Sequence, residues 1–209
     1  MNSISKSKNE NVGDVMVVGG GISGIQASLD LAETGFRVFL VDKLPAIGGK
    51  MSQLDKTFPT NDCSMCIESP KFIECSRHPN IDILSNTDIE RVEGEAGNFK
   101  ISLYKKPRYV NEDKCTGCTT CVEYCPVEVP DPYNQNMNLT KAVHIHFAQA
   151  VPLYTYIDPL TCLFQQDEKC SICQDVCQHK AIDLHQKPKN LRVEVEAVVL
   201  SPGYETFDP

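Results

Sequence analysis

Apolar positions along this chain fall into short runs separated by glycine-marked turns. Asp14-Val15-Met16-Val17-Val18 reads as a short buried strand. It runs straight into Gly19-Gly20-Gly21-Ile22-Ser23-Gly24, and then into a helical stretch with Ile22, Ile25 and Leu29 on one face and Gly35 as its stop. A second apolar run, Val38-Phe39-Leu40-Val41, ends at Asp42. Further on, Ile81 to Leu84 reads as a strand, and Ile89 to Val92 with Phe99 to Tyr104 as a hairpin around Gly94 and Gly97-Asn98. The pattern changes after Lys105-Lys106-Pro107-Arg108, becomes rich in cysteine, and resumes its strand-like character from Leu191 to Leu200. It predicts an α/β domain interrupted by an insertion: a polar tail over 1–13, the first part of the domain over 14–106, the insert over 107–186 and the continuation over 187–209.

Strand, glycine turn, helix and second strand are the order that a Rossmann-like dinucleotide frame needs. Gly19 allows the tight turn, Gly21 lets the backbone approach a pyrophosphate, and Gly24 lets helix and strand pack closely. Asp42 lies close to the expected ~20 residues past the glycines, where a carboxylate binds a ribose hydroxyl and would repel a 2′-phosphate. That disfavours NADP. A lone glycine turn also serves plain structure, but strand, helix and acidic end-residue agree here. Pro45 to Met51, with Gly48-Gly49, resembles the second glycine pair of flavoproteins with two dinucleotide domains and favours FAD over NAD. Ala197 to Tyr204, with Gly203, resembles the late strand and A-T-G turn of those flavoproteins, with Ser201 and Pro202 departing from it.

Composition narrows the compartment and the partners. The 209 residues carry a formal charge of -8, which argues against nucleic acid or an anionic membrane held by bulk charge. Met1 to Gly13 lack an apolar signal core, and no apolar run reaches the length of a bilayer span, so neither secretion nor direct membrane insertion is expected. Eleven cysteines then read as metal-bound thiolates in a reducing cytoplasm rather than as a disulfide framework.

Eight of those cysteines form two groups. Cys115, Cys118, Cys121, Cys125 and the following Pro126 match the ferredoxin run C-x2-C-x2-C-x3-C-P residue for residue. Cys162, Cys170, Cys173 and Cys177 follow, with Gln178 in the usual place of proline and a longer first spacing. In two-cluster ferredoxins the fourth cysteine of each run ligates the other cluster. Carried onto this chain, one [4Fe-4S] cluster takes Cys115, Cys118, Cys121 and Cys177, and the other takes Cys162, Cys170, Cys173 and Cys125. Two structural zinc sites are the competing reading, and the compact first run is a poor tetrahedral zinc spacing. Between the groups, Ala148 to Pro152 reads as cover for a cluster, a partner-facing patch or, more commonly, part of the module's own core.

Cys63, Cys66 and Cys75 form a third group. Ser69-Pro70 looks like an N-cap with proline at the first helical position, which predicts a short helix over Lys71 to Ser76 carrying Cys75. Three readings compete, in this order: a third iron–sulfur cluster with a fourth ligand elsewhere, a redox-active Cys63–Cys66 dithiol acting on a flavin, and a zinc site or buried cysteines. His78 is the nearby candidate for a fourth ligand, against its plainer reading as a loop histidine. His144, His146, His179 and His185 lack a ligand-like grouping and read as ordinary surface or packing residues.

From about Asp14 to Pro209 the chain resembles the family of A-type subunits of heterodisulfide reductase. The resemblance rests on Val17 to Ala27, on Asn61 to Cys66 with Ser69-Pro70-Lys71 and Cys75, on the inserted ferredoxin-like module, and on Gln149 to Pro152, Ile157 to Pro159 and Pro202 to Tyr204. It implies an FAD-binding, thioredoxin-reductase-like frame with [4Fe-4S] clusters feeding or draining the flavin. It also implies an oxidoreductase component that works with partner subunits of such a complex, with electrons delivered by hydrogenase, formate dehydrogenase or a ferredoxin. Flavin-based electron bifurcation linked to disulfide reduction is one form of that activity. Family members continue well beyond the region matched here, so the chain reads as the N-terminal portion of a longer subunit or a split product. An electron-transfer subunit of a quinone-linked oxidoreductase and a non-catalytic electron wire are the alternatives.

Overall fold

The computed structural model describes residues 2–3 and 12–205. The polar tail expected over 1–13 lies for the most part outside them. The chain divides into two compact units, Met1–Lys106 with Pro188–Pro209, and Pro107–Lys187.

In the first unit, β1 (Asp14–Val18) leads through α1 (Ile22–Glu33) to β2 (Arg37–Val41). After α2 (Ser64–Arg77) come β3 (Ile81–Leu84) and the hairpin of β4 (Thr87–Glu95) and β5 (Asn98–Lys105). The chain returns as β6 (Lys189–Val195) and β7 (Ala197–Leu200). A parallel sheet forms in the order β7-β1-β2-β3. A second sheet pairs β6, β5 and β4 antiparallel, extended at its edge by Asn2–Ser3.

The period of two along each strand sorts the side chains. Met16, Phe39, Val41 and Leu84 of the parallel sheet pack with Ile101, Leu103, Val193 and Val195 of the second sheet. Val15, Val17, Val38 and Leu40 alternate with them and are also buried, which is why these runs lack polar positions. Each such fully buried side chain contributes roughly 1.5–3 kcal/mol.

The run predicted as resumed strand from Leu191 to Leu200 is two strands in two sheets. The chain changes sheet at Glu196, whose N–H donates to the Asp14 carbonyl while its carboxylate accepts from the Asp14 N–H. The short helix predicted over Lys71 to Ser76 is also corrected. Helix α2 begins at Ser64, Cys63 is its N-cap, and Pro70 lies inside it. Ser64, Glu68, Phe72 and Cys75 are its buried positions, so tertiary packing of that face outweighs the usual ~3 kcal/mol cost of an internal proline.

The second unit is built on short elements. Helices Thr120–Glu123, Leu163–Asp167 and Ile172–Val176 accompany two small hairpins, Glu128–Pro130 with Leu139–Lys141 and Val143–His144 with Tyr156–Ile157. Its core mixes Val110, Ala142, Val143, Ile157, Ile182 and Leu184 with Cys121, Cys162 and Cys173. Ala150 is buried in this unit, while Ala148 and Gln149 are exposed. Among the described residues no helix is long and apolar enough to cross a membrane.

Candidate functional site

Three glycine segments meet at the carboxyl ends of the parallel strands, where open α/β sheets hold their ligands. Gly19 adopts φ +103, and a Cβ there would stand 2.1 Å from the Ser201 carbonyl oxygen. Gly24 carries the close approach of α1: a Cβ would meet the Gly19 oxygen at 1.8 Å and Val17 Cγ1 at 3.4 Å. At Gly21 a Cβ would meet nothing nearer than Gly49 Cα at 3.9 Å, which leaves the backbone at the N-cap of α1 open to a phosphate. Gly48 forms a parallel bridge with Gly21 and donates its N–H to the Gly20 carbonyl at 2.7 Å. Ser201 donates its N–H to the Val18 carbonyl, and Gly203 follows in the exposed segment after β7.

Asp42 has a structural task that its position in the sequence did not reveal. It is buried, and its two carboxylate oxygens accept the N–H groups of Gly20 at 2.6 Å and Leu44 at 2.7 Å. It therefore ties the glycine turn to the end of β2. Burial holds its pKa above the ordinary carboxylate value, against the lowering effect of these two hydrogen bonds.

In the second unit the eight cysteines line two hollows. Cys115, Cys118, Cys121 and Cys177 line one of them. Cys125, Cys162, Cys170 and Cys173 line the other. Each hollow thus draws three thiols from one sequence group and the fourth from the other group. Among the described residues no three His, Cys, Asp or Glu side chains converge tightly enough to hold a single metal ion.

The thiols differ in environment. Burial pushes Cys121 up to about 11 and Cys173 up to about 12, so their thiolates call for a positively charged partner. Exposed Cys118 is lowered instead, by the backbone and then the hydroxyl of Thr120. His179, read from sequence as an ordinary residue, also lines the first hollow. Burial lowers His146 to about 4, and its ring lies edge-on to Tyr133.

The third cysteine group does not assemble as a trio. Cys63 and Cys66 form a disulfide, with Cα atoms 5.2 Å apart and both residues exposed. The Cys66 N–H donates to Cys63 Sγ at 3.2 Å across the first turn of α2. Cys75 lies nine residues beyond Cys66, on the opposite face of the helix, and is fully buried. In this geometry Cys63 pairs with Cys66, and Cys66 and Cys75 occupy opposite faces of one helix. Burial and the neighbouring Glu74 push Cys75 up to about 12. Alkylation of the native protein is expected to label Cys63 and Cys66 only after reductant, and Cys75 only after unfolding. Peptide mass spectrometry showing Cys63 labelled without reductant would count against the bond.

Comparison with known proteins agrees with both units. A family model described as FAD dependent oxidoreductase matches residues 14–66, and one described as 4Fe-4S binding domain matches residues 108–131. These matches assign an FAD-type frame and an iron–sulfur-binding module. The A-type subunit of an H(2):CoB-CoM heterodisulfide,ferredoxin reductase of Methanothermobacter marburgensis is 46% identical over 194 residues, 93% of this chain and 29% of that protein. The A-type iron-sulfur subunit of a CoB--CoM heterodisulfide reductase of Methanopyrus kandleri is 47% identical over the whole chain and 31% of its own length. Its counterpart in the Ferredoxin:CoB-CoM heterodisulfide reductase of Methanosarcina mazei is 39% identical over the whole chain and 26% of its own length. The chain spans about three-tenths of the length of these relatives, and over that span it belongs to the family of A-type subunits of heterodisulfide reductase.

Proposed function

We propose that this chain is the flavin and iron–sulfur part of a heterodisulfide reductase-type oxidoreductase and passes electrons between two [4Fe-4S] clusters and FAD. The observation that carries this reading is the sorting of eight thiols into two hollows, three and one from each sequence group. Cys115, Cys118, Cys121 and Cys177 hold one cluster; Cys125, Cys162, Cys170 and Cys173 hold the other. Bound clusters supply one-electron chemistry and bound FAD two-electron chemistry. The protein's own part is to hold them. Gly21 and the open N–H groups of α1 receive the pyrophosphate, and Gly48, Gly49 and Gly203 bring backbone close to the nucleotide. Asp42 keeps the turn in shape and has lone pairs left for a ribose hydroxyl.

The Cys63–Cys66 pair is a dithiol/disulfide couple in this reading. Opening it takes two electrons and two protons, the load that a dihydroflavin carries. The chain's partners are the other subunits of such a complex, with hydrogenase, formate dehydrogenase or ferredoxin as donors, and electron bifurcation linked to disulfide reduction as the whole assembly's activity. Thiolate-held clusters suit the reducing cytoplasm.

Protein purified without oxygen is expected to carry about eight irons and eight sulfides per chain, together with FAD. Cys118→Ser should disturb only the cluster that includes Cys177 and leave flavin in place. Gly21→Val should block the approach of the pyrophosphate and leave the iron. Absence of iron from the wild-type protein, or loss of the same signal in both variants, would sink the reading.

A further inference from the structure

The two hollows are chemically unlike. Thr116, Thr119, Thr120, Thr155 and His179 line the first beside its four cysteines. Pro126, Val127, Ala142, Val143, Ile157 and Leu163 line the second. In the first, three of the four thiols have a hydroxyl or N–H hydrogen-bond partner. Thr155 Oγ1 is 3.7 Å from Cys115 Sγ, and Thr155 lines the hollow together with Cys121. Thr120 Oγ1 is 3.6 Å from Cys118 Sγ, and the Ala181 N–H donates to Cys177 Sγ at 3.3 Å. In the second hollow, among the described residues, no group donates to any of the four thiols. The neighbour of Cys125 Sγ is the Val127 carbonyl oxygen at 3.8 Å, which can only accept.

Thr155 stands out within this set. It is 1% exposed, so its hydroxyl is removed from water and set beside the Cys115 sulfur in the wall of the first hollow. A buried hydroxyl without a strong partner is costly, and a cluster thiolate supplies a better acceptor than a thiol does.

We propose that Thr155 sets the order of the two clusters, making the one held by Cys115, Cys118, Cys121 and Cys177 the higher in potential. The proposal rests on the reading that each hollow holds a [4Fe-4S] cluster. Reduction adds negative charge that spreads onto the ligand sulfurs. Donors to those sulfurs, together with the exposure of Cys118, stabilise the reduced form more than the oxidised one and raise the potential. Apolar walls without donors do the opposite. An electron reaching the second cluster therefore moves downhill to the first: the second is oxidised, the first is reduced, and no bond is made or broken. The threonine-lined hollow is the receiving end of the relay.

The test is a redox titration followed by electron paramagnetic resonance, with iron and sulfide analysis of every sample. Wild-type protein should show two separable midpoints, the higher being the signal disturbed by Cys118→Ser. Thr155→Val should lower the higher midpoint and leave the other, and Thr155→Ser should restore it. A tenfold fall in the reduced-to-oxidised ratio at fixed ambient potential corresponds to about 59 mV for one electron. If Thr155→Val fails to load iron, Thr120→Val at the half-buried rim should lower the same midpoint. Full iron with an unmoved higher midpoint, or a shift confined to the lower one, overturns this proposal alone. Wild-type protein without iron overturns the cluster reading and this proposal with it.

Discussion

Alanine at Gly24 is expected to destabilise the nucleotide-binding unit by more than about 3 kcal/mol and to abolish flavin binding, while the iron content stays unchanged. One methyl group is added, but it would stand 1.8 Å from the Gly19 carbonyl oxygen. Neither side can yield easily. Gly19 is fixed by its N–H bond to the Val41 carbonyl at 2.8 Å and by Ser201 packed against it. Helix α1 would have to lift away from β1, uncovering Ile25 and Leu29, which are 0% and 3% exposed. Urea unfolding followed by circular dichroism measures the loss, and flavin absorbance measures binding. Gly97→Ala is the control: a Cβ there meets nothing within 4 Å, and only its φ of +92 costs, on the order of 1 kcal/mol. A Gly24→Ala protein with wild-type stability and bound flavin would refute the helix–turn contact.

The second large effect concerns Glu68. This side chain is 0% exposed, and neither of its carboxylate oxygens has a hydrogen-bond partner. Burial alone raises its pKa from 4.5 to about 7. Between those two values the folded protein holds a proton that the unfolded chain has released. Stability must then fall as pH rises from about 4.5 to about 7, and level off above that. The total is on the order of 3 kcal/mol. Glu68→Gln keeps the shape and removes the charge, so it should match wild type near pH 4 and exceed it by on the order of 3 kcal/mol at pH 8. Urea melts across that pH range decide the matter; parallel curves for the two proteins would mean that Glu68 does not titrate in the folded state.

Much of the chemistry is legible along the chain. The glycine turn can be placed because strand, turn and helix signals agree over a short local stretch, and the family relationship follows the same residues. The ferredoxin-type cysteines are legible for a similar reason: ligand spacing is a local property of the chain. The start of helix α2 is misplaced from sequence because Ser69-Pro70 is a strong local start signal. The opposing term, burial of Ser64, Glu68, Phe72 and Cys75 on one face, exists only once the helix packs. The change of sheet at Glu196 is hidden because two adjacent strands and one long strand show the same alternation.

What the sequence by itself determined is the set of groups: three glycine segments, Asp42, eight cysteines in two runs, and three more beside the flavin frame. Only the tertiary structure decided how they combine. It turned Asp42 into a latch on the glycine turn, placed Cys75 on the opposite face of a helix from Cys66, and gave one cysteine hollow threonine donors that the other lacks. The physical reason is the range of the interactions. Helical start signals, turn conformations and ligand spacings act over a few residues and are written in order along the chain. Hydrogen bonding to Thr155 and the crossing of β6 into β7 depend on residues 40 to more than 150 positions apart, and those meet only in the folded protein.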